Sequence, residues 1–104
     1  MKQDSVLQLI SLAMRAGGVA SGEFMTEASV KEGKSRLVIL SKDSSERTRK
    51  QFSDMCKYYE VPYREYSDKE SLGHAIGKEF RASLSVTNDG LAKQILLKID
   101  GGSN

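Results

Sequence analysis

Gly33-Lys34-Ser35-Arg36-Leu37-Val38-Ile39-Leu40-Ser41-Lys42-Asp43 holds an unbroken apolar run, Leu37 to Leu40, between two polar, turn-forming boundaries. A run of that length, rich in branched aliphatics and without alternation, reads as a strand buried on both faces, as in a sheet covered by helices on each side. The flanking patterns supply those helices. Upstream, Asp4 or Ser5 can cap a first helix in which Val6, Leu9, Ile10, Ala13 and Ala16 recur at helical spacing, and Gly17-Gly18 stops it. After the short apolar Val19-Ala20, Ser21 can cap a second helix that carries Phe24, Met25 and Ala28 and ends at Gly33.

Downstream, Asp43 with Glu46 three residues on has the spacing of a capping box, and Phe52, Met55, Cys56 and Tyr59 form the apolar face of a third helix. Val61-Pro62-Tyr63 ends that helix and opens a short strand, with Pro62 confined to its first residue. Ser67 and Glu70 have the spacing of a second capping box for a short helix. Ala82, Leu84 and Val86 then alternate with Ser83, Ser85 and Thr87, a strand pattern, and Leu91, Ile95 and Ile99 mark a final amphipathic helix. The order α-β-α-β-α-β-α-β-α calls for an α/β fold, a central sheet with helices on both sides.

A chain of 104 residues, 38% hydrophobic and 29% charged, is expected to form one small globular domain over 1–104. Its end, Asp100-Gly101-Gly102-Ser103-Asn104, is expected to fray as a flexible tail, 100–104. The start is polar (Met1-Lys2-Gln3-Asp4), and no apolar run approaches the roughly 20 residues of a membrane helix, so a cytoplasmic protein without membrane contact is expected. One cysteine and one histidine cannot supply a zinc-ligand set or a disulfide. Cys56 falls on an apolar helix face and reads as inert core; His74 has no nucleophile or carboxylate partner by spacing. Neither the phosphate-loop nor the dinucleotide fingerprint is present, so no catalytic residue, metal or cofactor is expected.

Two features point toward a partner instead. Leu72-Gly73-His74-Ala75-Ile76-Gly77-Lys78 places two glycines on one face of a short helix, where each is disfavoured by roughly 1 kcal/mol against alanine. Such a pair suits the close approach of another backbone, belonging to a neighbouring element, a ligand or RNA, and equally suits helix packing with a glycine cap before Lys78. Residues 31–50 hold Lys31, Lys34, Arg36, Lys42, Arg47, Arg49 and Lys50 against Glu32, Asp43 and Glu46. Within a net charge of only +2 for the chain, that stretch fits a polyanion near the sheet edge, or an ordinary solvated helix face.

Three separated blocks, 9–23, 37–43 and 72–78, resemble in order and spacing the bacterial YlxQ-type members of the ribosomal protein L-seven-Ae superfamily, and the likeness runs from Val6 to Ile99. The resemblance implies a three-layer α-β-α sandwich with a four-stranded mixed sheet, no enzymatic activity, and binding to structured ribosomal or other noncoding RNA. It also implies a two-part RNA clamp, built from the start of the second helix (22–28) and the loop before the last strand (78–83). Its candidate contacts are Gly22, Glu23, Phe24, Lys78, Phe80, Arg81 and Ala82. A helix amino terminus offers N–H groups to a phosphate or base edge, Phe24 and Phe80 can stack on splayed bases, and Lys78 and Arg81 can neutralise phosphates. Phe24 can equally be a core residue.

Kink-turn binders of the superfamily carry an Asn-Glu pair after the glycine and a Lys one turn later; Phe24, Met25 and Ala28 stand there in this chain. None of these side chains can make the corresponding hydrogen bonds, so strong selectivity for a standard kink-turn is not expected. The chain is read as a monomeric RNA-binding protein of the ribosome or translation apparatus. The competing reading is a protein-interaction module on the same fold, using the apolar surface of Phe24, Met25 and Phe80.

Overall fold

The structure, a computed structural model, describes residues 4–101. Its elements run α1 (Ser5–Arg15), β1 (Val19–Ser21), α2 (Glu23–Lys31), β2 (Leu37–Leu40), α3 (Glu46–Tyr59), β3 (Tyr63–Glu65), α4 (Lys69–Ala75), β4 (Ser83–Val86) and α5 (Asp89–Gly101). The sheet order is β1-β4-β2-β3, with β4 antiparallel to both of its neighbours and β2 parallel to β3, so the sheet is mixed. Pro62 immediately precedes the edge strand β3, and its carbonyl accepts from the Val38 N–H of β2 at 2.9 Å.

Strand alternation divides the core into two layers. Leu37 and Ile39 of β2 and Leu84 and Val86 of β4 pack with Val6, Ile10, Ala13, Leu72, Ile76, Ala92 and Ile95, the buried side of α1, α4 and α5. Val38 and Leu40 point the other way and meet Val30, Phe52 and Cys56 of α2 and α3. Both middle strands are therefore buried on both faces, as the Leu37–Leu40 run predicts. Cys56 is buried, and burial pushes its thiol up to about 11, which keeps it protonated and unreactive at neutral pH.

The polar face of β4 is not wet. Ser85 shares a hydrogen bond of 2.8 Å with Ser29 of α2 and donates one of 2.7 Å to Ser35, a closed hydroxyl chain among buried residues. This chain settles what hydropathy leaves open. Phe24 and Met25, whose apolar side chains suit either core or surface, are 79% and 53% exposed, while Thr26, Ser29 and Val30 face the sheet. A sheet face presenting Ser83 and Ser85 accepts small hydroxyl side chains, which lets α2 lie close, and the large apolar residues are turned outward.

Other corrections are local. Asp4 caps α1, accepting from the Val6 and Leu7 amides, and Ala16 is the exposed C-cap of that helix rather than core. The second helix is capped not by Ser21 but by Gly22, whose φ is +92°; the third by Ser45 rather than Asp43; the fourth by Asp68 rather than Ser67. In each case adjacent residues compete for the cap, and the backbone path chooses one. Tyr59 is exposed at the end of α3. Asp100 and Gly101, expected in a frayed tail, continue α5, and Asp100 receives two hydrogen bonds from Arg64, at 2.7 and 2.8 Å. The remainder of the expected tail, 102–104, lies outside the described residues.

Candidate functional site

Because β4 runs antiparallel to β1 and β2, the ends of those two strands meet its start: Ser21 pairs with Leu84, and Leu40 with Ser83. Three connections therefore converge at one end of the sheet. They line a cleft of about 390 Å³, formed by Ser21, Gly22 and Glu23, by Asp43, Ser44, Ser45 and Thr48, and by Lys69 with Phe80, Arg81, Ala82 and Ser83.

On the first wall, the Gly22 N–H donates to the Ser83 carbonyl at 3.0 Å, and Gly22 turns the chain from β1 into α2 with a backbone that a side chain would strain. No side chain caps α2, and its first residue, Glu23, lines the cleft at the positive end of the helix. On the opposite wall Arg81 is held at three points. Its N–H donates to the Lys69 carbonyl at 3.0 Å, its Nε to the Ser21 hydroxyl at 3.2 Å and its Nη1 to the Phe80 carbonyl at 2.8 Å. The Lys69 N–H in turn donates to Asp43 Oδ1 at 3.1 Å, and the Ser41 hydroxyl with that amide holds the Asp43 carboxyl below its usual range.

The glycine pair answers the question its spacing raises: the backbone that approaches is the chain's own. A Cβ on Gly73 would stand 2.6 Å from the Glu79 carbonyl oxygen and 2.9 Å from the Phe80 nitrogen. Gly77 has φ +77° and open space around it, so it serves as the left-handed helix terminus, and the Lys78 N–H closes the turn onto the Gly73 carbonyl at 2.8 Å. Thus the two glycines have different tasks, and both set the path of the loop that carries Phe80 and Arg81.

Gly22, Glu23, Phe80, Arg81 and Ala82 come together in this cleft. Phe24 is not core: it is exposed on α2, and neither it nor Lys78, which is also exposed, lines the cleft. Phe80 is 57% exposed. Sequence reasoning missed Asp43, Ser44, Ser45, Thr48 and Lys69, since only the strand order brings the β2–α3 connection beside the other two. The basic stretch 31–50 is largely consumed in ion pairs: Lys31 with Glu27, Lys34 with Glu32, Arg49 with Glu65 and Lys50 with Asp54. Among the described residues Arg36, Lys42 and Arg47 have no such partner; in sequence, Lys42 directly precedes the cleft's second segment and Arg47 lies within it. His74 is exposed, outside the cleft.

Comparison with known proteins shows the family of the chain. The profile of the ribosomal protein L7Ae/L30e/S12e/Gadd45 family matches residues 4–96. The chain is 38% identical over 92 residues to the RNA-binding protein YlxQ of Bacillus subtilis (strain 168), covering 88% of this chain and 92% of that protein. It is 35% identical over 99 residues to the RNA-binding protein YlxQ of Enterococcus faecium, covering 95% of each. The solved structure of a protein of unknown function from Bacillus halodurans superposes with a TM-score of 0.91 at 34% identity, covering 94% of this chain and 99% of the other.

Proposed function

The chain belongs to the ribosomal protein L7Ae/L30e/S12e/Gadd45 family, and we propose that it is a non-enzymatic protein that binds structured ribosomal or other noncoding RNA through the cleft at the end of the sheet. The observation that carries this reading is the convergence, in one open cleft, of the start of α2, which no side chain caps, with Arg81 and the exposed ring of Phe80. Amides and hydroxyls there suit the edge of a base turned out of a structured RNA; Phe80 suits its face, and Arg81 and Lys69 its phosphate. Phe24 and Lys78 extend the contact on either side. The name borne by its relatives in Bacillus subtilis and Enterococcus faecium supports the same class of partner. In this reading the chain acts as a single domain and a monomer, in the cytoplasm, within the ribosome or translation apparatus, and does not select strongly for a standard kink-turn.

The test is a titration of a hairpin RNA with an asymmetric internal loop across a range of salt. Binding weakens as salt rises, because cationic side chains displace condensed counterions. The double variant Lys78→Ala, Arg81→Ala lowers the slope of log affinity against log salt by about 1 to 2. Absence of binding at low salt, or an unchanged slope in the double variant, would remove the cleft from the account.

One observation favours a second reading. Phe24, Met25 and Phe80 are all exposed, an apolar trio that a protein partner would also cover. Nucleic acid that copurifies with the protein and is released by nuclease or high salt decides for RNA; its absence, with a protein retained instead, decides for the module.

A further inference from the structure

We propose that Asp43 is a positioning residue of the cleft, holding Arg81 in place through Lys69 without itself needing to touch RNA. The inference rests on the RNA-binding reading of the cleft.

The geometry is a relay across three connections. Asp43, in the β2–α3 connection, accepts at Oδ1 from the Lys69 N–H at 3.1 Å; the Lys69 carbonyl accepts from the Arg81 N–H at 3.0 Å; and Arg81 Nε reaches the Ser21 hydroxyl at 3.2 Å. Among the described residues Asp43 supplies the side-chain hydrogen bond that joins the β2–α3 connection to the start of α4. That helix does not need Asp43 as its cap, because Asp68 already accepts from the Ser71 amide at 2.7 Å. What Asp43 adds is a hold on Lys69 through the Asp68–Lys69 peptide, while the carbonyl of the next peptide unit receives the Arg81 N–H. The loop before β4 is also held by the Ser41 N–H on the Ala82 carbonyl at 2.9 Å and the Gly22 N–H on the Ser83 carbonyl at 3.0 Å, and Glu79 and Phe80 lie close against Gly73, so Asp43 acts on the Arg81 end of it. With Lys69 loose, the Arg81 backbone loses one hold, and the guanidinium, aimed then only by Ser21 and the Phe80 carbonyl, keeps its charge but forfeits part of its geometric advantage.

The experiment compares the wild type with Asp43→Ala and Asp43→Asn, reading amide hydrogen exchange at Lys69 and Arg81 in the free protein and affinity for the internal-loop hairpin RNA. Asp43→Ala is expected to accelerate exchange at both amides and to weaken RNA binding about five- to tenfold, the loss of roughly one hydrogen bond's ordering, with the salt slope unchanged. Asp43→Asn keeps a side-chain oxygen at the same place and is expected to restore both readouts. Unchanged protection in Asp43→Ala would overturn the proposal. So would an Asp43→Asn variant that binds as poorly as Asp43→Ala while its amides stay protected, since the carboxylate would then act on RNA directly. A wild type that binds no RNA would overturn the function proposed above, and exchange in the free protein would still decide whether Asp43 orders the loop.

Discussion

Changing Phe24→Asn, Met25→Glu and Ala28→Lys together is expected to turn a weak, indifferent contact with a standard kink-turn into tight binding that depends on its G·A pairs. All three side chains lie off the buried face of α2, which is formed by Thr26, Ser29 and Val30, so the substitutions leave the core alone and act on recognition. Each hydrogen bond gained is worth roughly 0.5–1.5 kcal/mol, or about 1.5–3 where a charged group takes part, so three together raise affinity by orders of magnitude. The measurement is a titration of a standard kink-turn and of the same RNA without its G·A pairs, against wild type and triple variant. Tight, G·A-dependent binding by the wild type would show that other residues do the reading.

Gly73→Ala is expected to be the most damaging single substitution near the cleft. Its Cβ would fall 2.6 Å from a carbonyl oxygen and 2.8 Å from the carbon that bears it, and backbone cannot move aside as a flexible side chain can. Overpacking of this kind destabilises by about 1–3 kcal/mol, and the loop that must shift is the one carrying Phe80 and Arg81. RNA binding should therefore fall further than stability alone accounts for. Gly77→Ala provides the contrast: it meets no atom within 4 Å but must hold φ at +77°, a left-handed strain of about 1–2 kcal/mol. Denaturant midpoints and RNA titrations on both variants separate the two effects. A Gly73→Ala protein with wild-type stability and affinity would show that the loop's path does not depend on this contact.

The layered fold is legible in the chain because its signals are redundant: the Leu37–Leu40 run, the helical spacing of Val6, Ile10 and Ala13, and the Gly17-Gly18 stop all agree with the same sheet. What hydropathy cannot show is a helix that buries hydroxyls. Ser29 faces the sheet because Ser85 meets it there from 56 residues along the chain, Thr26 follows on the same buried side, and no local pattern around Phe24 records that. The caps slip by one or two residues for a simpler reason, since Ser21-Gly22, Asp43-Ser44-Ser45 and Ser67-Asp68 each offer several candidates. At the cleft, the start of α2 and the loop before β4 could be named beforehand through resemblance. The third wall could not, because Asp43 and Lys69 join it only through the strand order β1-β4-β2-β3.

The most direct test of the RNA reading is residue-by-residue mapping of backbone amide shifts as the internal-loop hairpin is added to the wild-type protein at low salt. Changes are expected at 22–25, at 43–48, at Lys69 and at 79–83, the three connections that meet at the end of the sheet, with the outward faces of α1 and α5 left as they are in the free protein. Shifts confined to α1 and α5, to the exposed Tyr58 and Tyr59 at the far end of α3, or absent altogether would contradict it.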